Sequence, residues 1–122
     1  MGKNHRAVWV IAEQIDCHLE SVSLQLTGQA RKLADQLNTS VEVILLGYNI
    51  EQRVPQLIAA GADRVFLGNA PELEIYQPEL YTEIVVNLAG EHQPEIILIG
   101  STDMGRELAP LVAGRLKTGL TL

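Results

Sequence analysis

The residues with the clearest potential for chemistry lie near the carboxyl end of the chain, where positions 100–106 read GSTDMGR. Two glycines, Gly100 and Gly105, bracket the hydroxyls of Ser101 and Thr102, and a helical pattern begins directly afterwards. Free backbone N–H groups and the helix dipole at such a start attract anions, and Arg106 adds a positive charge. The segment therefore predicts a phosphate or nucleotide contact made by these five residues.

A structural explanation of the same segment stays open beside the functional one. Ser101, Thr102 or Asp103 can cap the following helix by accepting a hydrogen bond from a free N–H group. The two glycines can simply relieve crowding of the backbone. The segment also lacks the P-loop lysine and the full dinucleotide fingerprint, and Asp103 would repel an anion. We therefore expect at most a vestigial anion or nucleotide site.

Two other groups of residues are weaker candidates. Asp16, Cys17 and His18 place a thiol beside an imidazole, a pair that can support nucleophilic catalysis. Because chain neighbours rarely point at one another and no third orienting group is evident, these residues favour a plain loop or the start of a helix. Glu13 follows a buried strand; it is either a functional carboxylate or, as buried acids usually are, a hydrogen-bonded structural one. The sequence predicts no catalytic residue and no metal ligand.

Composition limits the partners of the chain. The 122 residues carry 9 basic and 15 acidic side chains, so the formal charge is −6. Without a basic patch to neutralise phosphates, nucleic acid is disfavoured as a partner. The longest apolar run, 7–12, is far too short to span a bilayer, and we expect no membrane insertion. The polar start does not resemble a signal or transit peptide, so we expect a bacterial or archaeal cytoplasmic protein rather than a mitochondrial one.

The elements that would position these residues alternate regularly along the chain. Aliphatic runs typical of buried parallel strands occupy 7–12, 41–46, 64–67 and 95–99, and helical spacing occupies 21–37, 50–60, 79–91 and 104–116. Connections of this length are crossovers, and right-handed crossovers build a parallel sheet. The prediction is an α/β fold: a three-layer, open, Rossmann-like parallel sheet with helices on both faces. Ligands bind such sheets beyond the carboxyl ends of the strands, which here means 12–14 and 100–106.

A longer motif carries a family resemblance. Residues 100–121 (GSTDMGRELAPLVAGRLKTGLT) strongly resemble the alpha-subunit signature of electron transfer flavoproteins. Shorter matches are 10–13 (VIAE), 30–34 (ARKLA) and 61–65 (GADRV). The resemblance covers essentially the whole chain; the long motif is specific, and the three short matches are supportive.

The resemblance implies one N-terminal domain over 1–122, with the adenine nucleotide alpha-hydrolase-like fold. In that family an alpha and a beta subunit form a heterodimer that carries electrons from flavin dehydrogenases, such as acyl-CoA dehydrogenases, to a quinone reductase or another acceptor. FAD belongs to the parent's C-terminal domain, which has no counterpart here. We therefore expect no cofactor in this fragment, no catalytic activity of its own, and a role in packing against the beta subunit.

Two departures from the family pattern bear on the end of the chain. The family often has a basic residue at the position of Leu111, and it continues past Thr121 with another strand, whereas this sequence ends at Leu122. We expect a sheet truncated before its last strand, with Leu122 as a candidate foreign residue and with self-association through the open edge. The alternative function is a stand-alone adenine-nucleotide-binding protein of the universal-stress type, with 100–106 binding phosphates.

Overall fold

The computed structural model describes residues 6–116, and the predicted α/β fold is confirmed there. In chain order the elements are β1 (Val8–Ile11), β2 (Gln14–Ile15), β3 (His18–Leu19), α1 (Ser21–Leu37), β4 (Val41–Gly47), α2 (Val54–Ala60), β5 (Arg64–Asn69), α3 (Pro78–His92), β6 (Ile96–Leu98) and α4 (Asp103–Leu116). Short 3-10 turns cover Glu51–Arg53 and Pro71–Leu73. All four predicted strands and all four predicted helices are present within a few residues of their expected bounds.

Two cores lie on opposite faces of the sheet because successive side chains of a strand point to opposite sides. Trp9 and Ile11 of β1 pack with buried residues of α3 and α4. Val8 and Val10 of the same strand pack with buried residues of α1 and α2. All four side chains of β1 are buried, as expected for a central strand of a three-layer structure.

The sheet has the strand order β5-β4-β1-β6, and each pairing within it is parallel. From β1 the chain moves outward through β4 to β5, and it then crosses back to place β6 on the other side of β1. The order therefore reverses between β1 and β6, and the crevice at their carboxyl ends is the place where this class of fold binds ligands. Both predicted segments, 12–14 and 100–106, lie at that crevice.

The segment after β1 differs from its prediction. Residues 16–18 were expected to form a loop or the start of α1, but they form the tight turn and the second strand of the antiparallel hairpin β2–β3. The turn places both Asp16 (φ 52°) and Cys17 (φ 65°) in the left-handed region, as a type I′ turn requires. Sequence patterns did not indicate this turn, because its two central positions are usually Asn or Gly.

Two helix faces also differ from the spacing-based expectation. Leu37 of α1 and Leu111 of α4 fall on the apolar face that helical spacing defines, but they are 39% and 43% exposed. Ser23 and Thr27 occupy the buried face of α1 instead. Each hydroxyl is hydrogen-bonded to a backbone carbonyl oxygen, so the polar atoms are satisfied inside the protein. A pattern that counts only apolar residues misplaces such a face.

Candidate functional site

A chain of hydrogen bonds joins the end of β1 to the start of α4 at the crevice. The Oγ1 atom of Thr102 accepts a hydrogen bond from the backbone N–H of Gly105 at 3.0 Å. The same hydroxyl lies 2.8 Å and 3.0 Å from the two carboxylate oxygens of Glu13, to which it donates. Thr102 therefore caps α4. Its hydroxyl also connects the positively polarised N-terminus of that helix to the Glu13 carboxylate, which is 89 positions away in the sequence.

Glu13 is held firmly at the base of this crevice. Its backbone N–H donates to Oγ of Ser23 at 2.7 Å, and the Ser23 hydroxyl donates back to the Glu13 carbonyl oxygen at 2.8 Å. The residue is only 7% exposed. Burial raises the pKa of the Glu13 carboxyl, the hydrogen bond from Thr102 opposes that rise, and the nearby charge of Glu20 adds to it. Of the two interpretations of Glu13, the geometry matches the hydrogen-bonded structural one.

Protein atoms take up the space beside both glycines of the motif. A Cβ atom at Gly100 would lie 3.0 Å from Cγ2 of Val22 and 3.1 Å from a carboxylate oxygen of Glu13. A Cβ atom at Gly105 would overlap the carbonyl oxygen of Gly100. Glycine at 105 thus lets the first turn of α4 lie directly on the end of β6, and glycine at 100 leaves room for the Glu13 side chain.

The remaining residues of the predicted anion site lie around this filled centre. Ser101 and Arg106 are exposed, and Thr102 is half-buried. The backbone N–H of Arg106 donates to the Thr102 carbonyl oxygen at 2.8 Å, so it is already part of the helix. The structure therefore places all five predicted residues at the crevice where the strand order reverses between β1 and β6. An anion or nucleotide contact there stays a prediction, which the titrations proposed below test.

Cys17 and His18 have separate partners. The Cys17 thiol donates to the carbonyl oxygen of Tyr48 at 3.3 Å. The guanidinium of Arg53 donates to the Cys17 carbonyl oxygen at 2.7 Å and lies 3.0 Å from Nδ1 of His18. These contacts fasten the β2–β3 hairpin over the end of β4, and they give the hairpin a structural role.

Two kinds of feature are absent from residues 6–116. Within that range no helix combines the length and the apolar character needed to cross a membrane. Nor does the same range bring three His, Cys, Asp or Glu side chains together in a way that could hold a metal ion.

A second feature lies along β6, at the edge of the sheet. A groove of about 730 Å³ runs beside this strand, with Leu26 and Leu33 of α1 and Val112 and Ala113 of α4 among its lining residues. The N–H of Glu95 donates to the Ala7 carbonyl oxygen at 2.8 Å. Because successive residues of a strand turn their backbone groups to opposite sides, the polar groups of residues 96 and 98 face the groove. Within the described residues, β6 pairs on one side only.

Sequence reasoning missed the links that matter most here. It placed Glu13 and Thr102 in separate segments, and it assigned no role to Ser23, Tyr48 or Arg53. The first link could have been found, because the carboxyl ends of adjacent parallel strands meet at one edge. The contacts of the hairpin could not, since its turn was not recognised.

Comparisons with known proteins support the family resemblance that residues 100–121 carry. The sequence pattern of the electron transfer flavoprotein domain matches residues 8–122. The electron transfer flavoprotein subunit alpha of Thermoanaerobacterium thermosaccharolyticum is 42% identical over 118 residues, which are 97% of this chain and 36% of that protein. The acryloyl-CoA reductase electron transfer subunit beta of Anaerotignum propionicum is 40% identical over 116 residues, covering 95% of this chain and 32% of that protein.

A solved structure shares the fold. The crystal structure of a universal stress protein in complex with cAMP superposes with a TM-score of 0.57 and 20% sequence identity, covering 98% of this chain and 97% of that one. At that identity the likeness concerns the fold alone. The chain spans about one third of the length of the curated relatives that it matches. On the match over residues 8–122 and the identity to these relatives, the chain belongs to the electron transfer flavoprotein family.

Proposed function

We propose that this chain is the N-terminal α/β domain of an electron transfer flavoprotein alpha subunit and that it acts as a scaffold and partner-binding module. The observation that carries the proposal is the family match over nearly the whole chain, combined with coverage of about one third of each relative. The parent would carry electrons from flavin dehydrogenases, such as acyl-CoA dehydrogenases, to a quinone reductase or another acceptor. It would work in the cytoplasm of a bacterium or archaeon as a heterodimer with a beta subunit.

In this proposal the FAD of the parent is bound outside residues 1–122. The filled crevice supports that assignment, because Glu13 and the packing at Gly100 and Gly105 occupy the place where this class of fold accepts a nucleotide. The domain would be the carrier's scaffold and would have no catalytic activity of its own.

The groove beside β6 supports a role for the domain in a larger assembly. The groove has at its base the backbone of β6 that is unpaired within residues 6–116, and it has residues of α1 and α4 on its two sides, so it can accept one more parallel strand. A right-handed crossover after α4 would place a strand on that side of the sheet. We propose that the parent supplies this strand. Residues 117–122, which include Leu122, lie outside the described residues, and the suggestion that Leu122 is foreign stays a prediction.

Absorbance and calorimetry test the proposed function. The purified chain, after expression with excess riboflavin, should show no stoichiometric flavin absorbance. Titration with FAD, AMP and ATP should give no binding heat. A yellow, flavin-loaded chain would contradict the assignment of FAD to the rest of the parent.

The alternative, a stand-alone nucleotide-binding protein of the universal-stress type, is favoured only by the shared fold. It predicts saturable binding of AMP, ATP or cAMP by the isolated chain. It also predicts that Gly105→Trp abolishes that binding. The absence of nucleotide binding by a folded wild-type chain would exclude it.

A further inference from the structure

We propose that Glu13 is a built-in anion: its carboxylate occupies the anion position of the β1–β6 crevice and closes that crevice to phosphate-bearing ligands. This inference goes a step beyond the proposed function, which expects no nucleotide binding by this chain: it extends the exclusion to phosphate itself. It concerns the ligand class that residues 100–106 can accept, and it names the residue that decides the matter.

The Glu13 carboxylate lies where this class of fold binds anions. In open parallel sheets, anions bind where the strand order reverses, at the N-terminus of the helix that follows the strand. In this chain the Thr102 hydroxyl takes the helix N–H of Gly105 and donates its own proton to Glu13. A carboxylate of this protein thus completes the hydrogen bonding that an incoming phosphate oxygen would otherwise supply.

Gly100 and Gly105 give space to other atoms of the protein and not to a ligand. Glycines in phosphate-binding loops leave space for the ligand to approach the backbone. Here the space at Gly100 is taken by Glu13 and Val22, and the space at Gly105 is taken by the Gly100 carbonyl group. At both glycines, the lack of a side chain lets other atoms of the protein pack closely against the backbone.

The charge of Glu13 also disfavours a phosphate in the crevice. Glu13 is only 7% exposed, so water screens its negative charge less than it would at the surface. A phosphate group entering the crevice would meet this carboxylate at close range and would be repelled. The exposed Asp103, in the first turn of α4, adds a second negative charge on the solvent side.

The test compares two Glu13 variants with the wild-type chain, using inorganic phosphate as the probe. Glu13→Ala removes both the charge and the volume and releases the Thr102 hydroxyl, whereas Glu13→Gln removes only the charge. In two-dimensional NMR spectra, the amide signals of residues 103–106 should not move for the wild-type chain. They should move saturably for Glu13→Gln and more strongly for Glu13→Ala, with an affinity at least about tenfold above the detection limit that the wild-type titration sets.

Glu107→Gln provides the matched control. It also replaces one negatively charged Glu by Gln, but at an exposed position of α4, the helix whose first turn the NMR signals report. This variant should respond like the wild type. The proposal is overturned if the wild-type chain binds phosphate at residues 103–106, if Glu107→Gln gains as much as Glu13→Gln, or if neither folded Glu13 variant gains any affinity. If a Glu13 variant does not fold, the proposal can still be refuted, because phosphate binding by the wild-type chain alone would contradict it.

Discussion

Adding one methyl group at Gly105 should destabilise this protein, whereas adding the same group nine residues later should stabilise it. Both glycines lie in α4, and both changes are to alanine. At Gly114 nothing lies within 4 Å of an added Cβ atom. Alanine there gains the helix propensity that glycine lacks, and Gly114→Ala should therefore raise the free energy of unfolding by about 0.5–1 kcal/mol.

At Gly105 the same propensity gain is opposed by a backbone clash. The added Cβ atom would overlap the Gly100 carbonyl oxygen, and it would lie 2.9 Å from the Gly100 carbonyl carbon and 3.1 Å from Cγ2 of Ile99. Backbone atoms cannot rotate out of the way, so either α4 or the end of β6 must shift. Overpacking of this kind costs about 1–3 kcal/mol. Because the propensity gain is common to both variants, their free energies of unfolding should differ by the cost of the clash, about 1–3 kcal/mol.

Urea unfolding followed by circular dichroism measures this difference directly. For a chain of this size, each kcal/mol also shifts the melting temperature by roughly 3–6 °C, so thermal unfolding gives a second reading. The slope of the urea transition should be unchanged if both variants unfold in two states. A Gly105→Ala variant as stable as Gly114→Ala would show that the first turn of α4 does not lie on Gly100 as described.

Three further predictions concern the cap, an ion pair and the open edge. Thr102→Val should lower the free energy of unfolding by about 1–2 kcal/mol because α4 loses its cap, while Thr102→Ser, which keeps the hydroxyl, should stay near the wild type in the same urea experiment. Burial alone would raise the pKa of Asp63, but the hydrogen bonds from the Val41 N–H and from Arg31 outweigh burial and lower it. The stabilisation by Asp63 should thus be complete above the pKa of Asp63 in the unfolded chain, and it should be lost as pH falls through the lower pKa in the folded protein. At neutral pH, Asp63→Asn should lower the free energy of unfolding by about 1 kcal/mol. In urea unfolding measured at successively lower pH, the difference between this variant and the wild type should shrink. Sedimentation velocity should show concentration-dependent self-association through β6 that Ala113→Glu weakens; a clean monomer at high concentration would contradict it.

The fold was largely predictable because its strands are strongly marked. In β1 and β4, runs of Val, Ile and Leu are buried on both faces, and buried parallel strands have this composition. The helices between them were recognisable from their spacing and from Gly61, whose φ of 132° ends α2. The parallel direction of the strands followed from the length of the connections, whereas the order β5-β4-β1-β6 was not predicted.

The β2–β3 hairpin was not predictable, for a local reason. Asp16 and Cys17 adopt a turn that usually selects Asn and Gly, and long-range contacts stabilise it instead. The Cys17 thiol and carbonyl are held by Tyr48 and Arg53, which lie more than thirty positions away in sequence. Local propensity contains no information about such contacts.

The candidate site was half predictable. Glycines and hydroxyls before a helix marked residues 100–106 correctly as the start of α4 at the crevice where the strand order reverses. Whether the free N–H groups bind a ligand or a side chain depends on what arrives from the neighbouring strand. That group is Glu13, and only the pairing of β1 with β6 brings it to Thr102.

The central claim, that this chain is a scaffold domain of an electron transfer flavoprotein alpha subunit, is tested most directly by exchange. The matching third of the Thermoanaerobacterium thermosaccharolyticum alpha subunit would be replaced by this sequence, and the chimera would be co-expressed with the beta subunit of that organism. The account predicts a purified heterodimer with the same FAD content as the natural pair. A chimera that folds but fails to assemble with the beta subunit, or that assembles without FAD, would contradict it.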